Sequence, residues 1–192
     1  MNNVKRLAVY CGSAPGTDPM FADATRATAA AMVNNGVDLV YGGGRLGLMG
    51  LIADSVLELG GHVYGVIPDA LVNLEVAHTG VTELYHVPNM HERKAKMTDL
   101  ADAFIALPGG IGTFDELFEA WSWNALGYHA KPFCLLNVAG FWNGMIGFID
   151  HATESGFLSA SRRKQLLVAS TPEEALELLD EAAASATQGM VW

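Results

Sequence analysis

Basic residues are scarce in this chain: 11 Lys and Arg stand against 21 Asp and Glu, a formal net charge of −10. A long nucleic acid or an anionic membrane surface wants a basic face, so the balance argues against either as a partner. A small anion held by a few local cations remains compatible with it. Cysteine is nearly missing. The two present, Cys11 and Cys134, fall in apolar strand patterns without CxxC spacing and read as buried thiols of a reducing compartment. No run reaches the roughly 18 apolar residues that span a bilayer, and the apolar residues 7–11 are too few for a secretion-signal core. A cytoplasmic protein is expected. Signatures of metal and nucleophile chemistry are missing too. The six histidines (62, 78, 86, 91, 129 and 151) show no HExxH spacing, and there is no GxSxG elbow, Walker A sequence or zinc-type cysteine pattern. Neither a metal nor a cofactor is expected.

What the chain does have is apolar mass. Of its 192 residues 51% are hydrophobic and only 17% charged, which suits one folded domain over residues 1–192 and excludes disorder for most of it. Short β-rich runs at 6–11, 38–41, 62–67, 82–87, 103–107, 132–137 and 166–169 alternate with helical patterns at 19–34, 48–59, 89–100, 113–126, 142–154 and 172–184. That alternation predicts βαβ units: a Rossmann-like, doubly wound parallel sheet of about seven strands with helices on both faces. Continuously apolar strands such as Phe104-Ile105-Ala106-Leu107 agree, because a parallel sheet is covered on both sides. Residues 68–80 form the longest connection, and residues 185–192 read as a tail that frays or docks on a partner. Ligands of such sheets sit beyond the carboxyl ends of the strands, where the strand order reverses. A 3-2-1-4-5-6 order would put that point between the first and fourth strands. The loops after strands one, two, four and five then matter most.

Three of those loops are rich in glycine. The first, Cys11-Gly12-Ser13-Ala14-Pro15-Gly16, offers the Ser13 hydroxyl as a donor, though plain turn chemistry explains it equally well. In the second, Tyr41-Gly42-Gly43-Gly44-Arg45-Leu46-Gly47, residues Gly42, Gly44 and Gly47 satisfy GxGxxG, with Asp69 as the acid about 20 residues on. A dinucleotide fingerprint belongs to the first βαβ unit, however. A phosphate- or ribose-contacting loop, or a turn needed only for packing, fits better than a nicotinamide site. The third, Leu107-Pro108-Gly109-Gly110-Ile111-Gly112-Thr113-Phe114-Asp115-Glu116, leads into a helix whose free amides and dipole make an anion site. Glycines 109, 110 and 112 let a phosphate approach, and the Thr113 hydroxyl can join. Thr113-x-x-Glu116 also has the spacing of a capping box, and spacing alone favours that role for Glu116.

The fourth loop opens a helix at Asn89, with Glu92 placed for a second capping box. Met90, Arg93, Met97 and Leu100 fall on one helical stripe. An arginine within an apolar stripe is costly unless it meets a carboxylate or a ligand anion. Three of the 11 bases (Arg93, Lys94 and Lys96) gather here. Lys96 reads as solvated, Arg93 as a ligand or active-site group. Trp121 and Trp123 read as core or subunit contact, and Arg162-Arg163-Lys164 as solvated surface.

Met90-His91-Glu92-Arg93-Lys94 followed by Pro108-Gly109-Gly110-Ile111-Gly112-Thr113-Phe114-Asp115-Glu116 resembles the paired signature of the LONELY GUY (LOG) family, whose members were often labelled lysine decarboxylase-like. The likeness extends to Tyr10-Cys11-Gly12-Ser13, Tyr41-Gly42-Gly43-Gly44, Leu48-Met49-Gly50, Gly65-Val66-Ile67-Pro68, Lys131-Pro132 and Leu136-Asn137. It implies a Rossmann-like homodimer that hydrolyses the N-glycosidic bond of cytokinin riboside 5′-monophosphates, and often of AMP, to free base and ribose 5-phosphate. It puts the catalytic arginine on Arg93 and the catalytic glutamate on Glu116. Substrate contacts fall on Glu75, Lys94, Gly109, Gly110, Gly112, Thr113 and Ser122, with Ser13 and Gly44 added from the other glycine loops. Three positions depart from the family pattern: Ser122 replaces the usual threonine, Asn73-Leu74-Glu75 replaces Pro-Arg-Glu, and Arg45 replaces a small polar residue. No lysine–acid arrangement suits pyridoxal phosphate. Two other readings stand beside this one: a general nucleoside 5′-monophosphate nucleosidase, and a non-catalytic carrier of a nucleotide or cofactor.

Overall fold

Strands that are apolar on both sides demand a helix layer on each face, and the computed structural model, which describes residues 3–72 and 76–188, has that arrangement. Strands β1 (Arg6–Tyr10), β2 (Asp38–Tyr41), β3 (Val63–Pro68), β4 (Glu83–Val87), β5 (Ala103–Ala106), β6 (Phe133–Leu136) and β7 (Leu166–Ala169) form one sheet in the order β4-β3-β2-β1-β5-β6-β7. Every neighbouring pair is parallel. The helices are α1 (Pro19–Asn34), α2 (Gly47–Glu58), α3 (Met90–Leu100), α4 (Ile111–Ala125), α5 (Asn143–Glu154), α6 (Ala160–Gln165) and α7 (Pro172–Gln188).

Alternation along β1 sends Leu7 and Val9 to one face and Ala8 and Tyr10 to the other. The first face packs on Met32 of α1, Ile52 of α2 and Leu176 of α7. The second packs on Met97 of α3, Leu117 and Trp121 of α4 and Ile149 of α5. Each large aliphatic side chain buried this way contributes about 1.5–3 kcal/mol. Local signals set the helix starts. Asp18 accepts the Met20 N–H at 2.9 Å with Pro19 in the first position of α1, and Asn89 caps α3 by accepting the Glu92 N–H at 2.9 Å.

Three expectations change. The order reverses between the first and fifth strands, not the first and fourth, because β4 joins the edge beside β3. Among the described residues its connection from β3 holds only a 3-10 turn at Asp69–Leu71 where a crossover helix would be usual. The short α6 was not expected, and α7 carries residues 185–188 of the expected tail in helix; residues 189–192 lie outside the described residues. Cys11 sits just beyond β1 and Cys134 within β6, both buried in the first core layer. Burial, with the charge of Glu174 adding to it, pushes the Cys134 thiol up to about 12. Among the described residues no helix is long and apolar enough to cross a membrane.

The winding places α1 and α2 on one face and α3, α4 and α5 on the other. Loops leaving β1 and β5 therefore diverge and open a crevice at the carboxyl edge of the sheet. The candidate site lies there.

Candidate active site

The charged member of the apolar stripe on α3 goes inward. Arg93 is 3% exposed, and its Nη2 donates to the Gly42 carbonyl at 2.7 Å, while Nη1 reaches Met90 Sδ at 3.6 Å. A charge-assisted bond to a buried carbonyl of this kind holds a guanidinium firmly. A Cβ on Gly42 would collide with Nη2. Glycine at 42 is thus required by the arginine's seat.

The rest of that turn is closed by protein. The Gly12 carbonyl accepts the Leu48 and Met49 N–H groups at 3.0 and 3.3 Å, satisfying the start of α2. Gly47, at φ +58°, lies so close to the Ser13 backbone that a Cβ would overlap it. The pyrophosphate of a dinucleotide would need the space these atoms fill, so the GxGxxG spacing does not build a nicotinamide site here. Gly44 is buried and bridged to Ala77. Arg45 is exposed and donates its N–H to the Val76 carbonyl at 3.0 Å. Asp69 pairs with His86 at 3.2 Å.

The turn after β5 is open instead. Gly110 caps α4 in an extended conformation with no side-chain hydrogen bond, and Ile111 and Gly112 are exposed. A Cβ on Gly110 or Gly112 would meet nothing within 4 Å. Because α4 begins at Ile111, Thr113 is its third residue and not its cap. The capping-box role for Glu116 therefore fails; Glu116 belongs to the second turn. Thr113 is buried, with its Oγ1 against the Gly109 backbone, so that a Cβ on Gly109 would overlap it. Gly12 N–H donates to the Pro108 carbonyl at 3.1 Å and ties the two loops together. Between them lies a cavity of about 210 Å³ lined by Ser13, Gly16, Phe21, Gly109, Gly110 and Phe141.

Burial first, and then the charges of Glu116 and Glu119, push the Tyr10 hydroxyl pKa well up. Burial and Glu116 do the same to the Cys11 thiol. The charge of Glu116 is thus felt at the end of β1, and the Arg93 guanidinium meets the carbonyl that follows β2, the neighbouring strand. Lys94 reinforces the approach by pairing across from α3 to Asp115 Oδ2 at 3.1 Å and to Glu119. Burial opposes its charge, but the two carboxylates outweigh burial and its pKa is raised.

The Lys94 pairs draw α3 and the first turns of α4 together, and Ser122 lies apart from the α4 start. It lies about 15 Å along α4 from Gly112 at 1.5 Å per residue, in an exposed apolar groove with Phe118, Phe148 and Phe157. Glu75 lies outside the described residues. Sequence reasoning missed the Gly42 carbonyl as the arginine's partner, Asp115 and Glu119 as partners of Lys94, and His78, whose N–H donates to the Gly43 carbonyl at 2.9 Å. The acids at 115 and 119 flank Glu116 on the sequence and were available as a signal; a lone histidine was not. Among the described residues no group of three His, Cys, Asp or Glu side chains could hold a metal ion.

Fold and site together define a Rossmann-like α/β protein with an open helix N-terminus at the switch point of its sheet. The family model described as "Possible lysine decarboxylase" matches residues 49–179. Over 177 residues the chain is 48% identical to the probable cytokinin riboside 5′-monophosphate phosphoribohydrolase LOGL3 of Oryza sativa subsp. japonica, covering 92% of this chain and 84% of that one. It is 46% identical over 188 residues to the cytokinin riboside 5′-monophosphate phosphoribohydrolase LOG of the same plant, covering 98% and 78%. The chain belongs to the LONELY GUY (LOG) family, to which the lysine decarboxylase description is attached. The molybdenum cofactor binding protein of Rippkaea orientalis shares the fold with a TM-score of 0.69 at 19% identity, over 92% of this chain and 95% of that one.

Proposed function

We propose that this chain hydrolyses the N-glycosidic bond of cytokinin riboside 5′-monophosphates, and of AMP, releasing free base and ribose 5-phosphate. The observation that carries the reading is the buried Arg93, seated on Gly42 beside an open helix N-terminus whose second turn bears Glu116. The family relationship supports the substrate class.

The 5′-phosphate binds the amides of Ile111, Gly112 and Thr113, where the α4 dipole and the absence of β-carbons at 110 and 112 favour it. Cleavage passes through an oxocarbenium-like ribosyl cation. The Glu116 carboxylate stabilises that cation and orients or deprotonates the attacking water. Arg93 keeps substrate and glutamate in register, Lys94 adds positive potential, and Glu75 serves the ribose hydroxyls. The water oxygen bonds to the anomeric carbon as the base departs with the C–N bonding pair; Glu116 takes the water's proton and passes it to solvent, which protonates the departing base.

The protein acts in the cytoplasm as a homodimer and binds neither nucleic acid polymers nor membranes. Its exposed apolar residues support the dimer: Phe118, Phe148 and Phe157 line one groove on α4, α5 and the loop before α6, where Ser122 also sits. A second copy would cover this face. Analytical ultracentrifugation of wild type against Phe148→Asp checks it, with a shift from dimer to monomer expected.

Chromatography of isopentenyladenosine monophosphate, AMP and CMP digests tests the main reading. Free base and ribose 5-phosphate in equal amounts are expected, with the cytokinin nucleotide or AMP preferred. Preference for CMP would replace the cytokinin reading with a general nucleosidase, and no ribose 5-phosphate from any nucleotide would leave a carrier.

A further inference from the structure

The guanidinium of Arg93 is only as well fixed as the carbonyl it grips, and the turn carrying that carbonyl has no helix or strand of its own to hold it. What lies over it is the end of the β3–β4 connection, residues 76–80. Three contacts sew the two together: Arg45 N–H to the Val76 carbonyl at 3.0 Å, the Gly44–Ala77 bridge, and His78 N–H to the Gly43 carbonyl at 2.9 Å. The strap does not lie there relaxed. Val76 is a β-branched residue at φ +51°, a conformation that persists only where the surroundings enforce it.

Two residues on, the strap is anchored by the side chain of His78, which is 4% exposed. Its Nε2 meets Asp54 Oδ1 on α2 at 2.9 Å, and its Nδ1 accepts the Gly80 N–H at 3.2 Å. The second bond requires an unprotonated Nδ1, so the neutral ring carries its proton on Nε2 and donates it to Asp54. Both ring nitrogens are thereby used, one to anchor the strap to α2 and one to fold it back on itself. Nothing in the hydrolytic chemistry uses this imidazole.

We propose that His78, pinned by Asp54, is a positioning residue for the Arg93 site: it clamps residues 76–80 onto the glycine turn and so fixes the Gly42 carbonyl that holds the guanidinium. This also gives the GxGxxG-like turn a purpose, since its glycines let a strap, a helix start and an arginine meet on one short stretch of backbone. The role in turnover rests on the proposed hydrolase activity; the clamp itself does not.

The test compares wild type with His78→Ala, His78→Gln and Asp54→Ala by hydrogen–deuterium exchange and by adenine release from AMP. Removing the clamp is expected to raise exchange at residues 42–45 and 76–80 by about tenfold while residues 108–120 stay unchanged, the loss of one or two buried hydrogen bonds. kcat falls by about tenfold, as for a misplaced positioning group, and His78→Gln, which keeps a donor for Asp54, recovers most of it. In an Arg93→Lys background the same removal costs less than about twofold, because two changes acting through one group are not additive. Unchanged exchange at 42–45, or the full tenfold loss repeated in the Arg93→Lys background, overturns the proposal. If His78→Ala does not fold, Asp54→Ala, on the half-exposed side of the pair, is judged by the same outcomes. If wild type releases no adenine from any nucleotide, the hydrolase reading fails and the exchange data alone decide the clamp.

Discussion

The turns after β2 and β5 look alike in sequence: each leaves an apolar strand, crosses consecutive glycines and enters a helix. In space they are opposites. The start of α2 is satisfied by the Gly12 carbonyl, pressed by the Ser13 backbone and roofed by residues 76–78. The start of α4 is open, with free space where β-carbons would stand at 110 and 112. A glycine pattern states how closely something approaches the backbone. It does not state whether that something is a ligand or the protein itself. After β2 the visitors are an arginine and a strap; after β5 there is room for a phosphate.

The largest effect that sharpens this contrast comes from the arginine held by the closed turn. Arg93→Ala is expected to lower base release by about 100- to 1,000-fold, as for loss of one electrostatic group in a preorganised site. It also leaves the Gly42 carbonyl short of its donor, costing about 1–3 kcal/mol of stability, which a circular dichroism melt would show. Turnover within a few fold of wild type would break the link between the two turns.

Substitution of single glycines is the next largest effect and probes the contrast directly. Gly47→Ala puts a methyl into the Ser13 backbone at a positive φ and is expected to cost at least about 2 kcal/mol in urea denaturation. Gly112→Asp, in open space at the start of α4, is expected to hold or raise stability by about 0.3–1 kcal/mol through the helix dipole. The same acid repels phosphate and raises KM for AMP by about tenfold. One glycine matters to the fold, the other to the ligand.

A smaller effect is expected between the helices that carry Arg93 and Glu116. Glu119→Gln frees Lys94 from one of its two carboxylates, and kcat/KM should fall by about threefold, with the loss shrinking in high salt.

The smallest is a control remote from both turns. Burial, with Lys131 nearby, lowers the His129 pKa from 6.5 to about 4. A histidine held neutral by the fold contributes stability that is full above its unfolded pKa. That contribution fades as pH drops from about 6.5 towards 4, because the unfolded chain binds the proton more readily. Thermal melts of wild type should therefore decline over that window more steeply than those of His129→Gln, with the ratio of turnover between Gly112→Asp and wild type unaffected.

The strands were legible because a sheet covered on both faces leaves an unbroken apolar run, and β5 and β6 are buried at every position. Their order was less so. That β4 lies beside β3 goes with a connection whose described residues hold no crossover helix, which periodicity does not report. Arg93 was legible as a charge placed where only apolar residues belong. Thr113 and Glu116 misled because Gly110 takes the cap position in an extended conformation, moving the helix start two residues upstream. The pairings of Lys94 with Glu119 and of His78 with Asp54 join residues 25 and 24 positions apart on different elements. Spacing rules reach three or four residues along one helix and not across two.

In the proposed reaction the Glu116 carboxylate, on the second turn of α4, does the chemistry. Free base and ribose 5-phosphate released from isopentenyladenosine monophosphate by wild type and by Glu116→Gln, at saturating substrate and with both proteins melting alike, test it most directly. The expected result is equimolar products from wild type and a rate lower by about 100-fold or more for the variant. Near-normal turnover by a folded Glu116→Gln protein would contradict it.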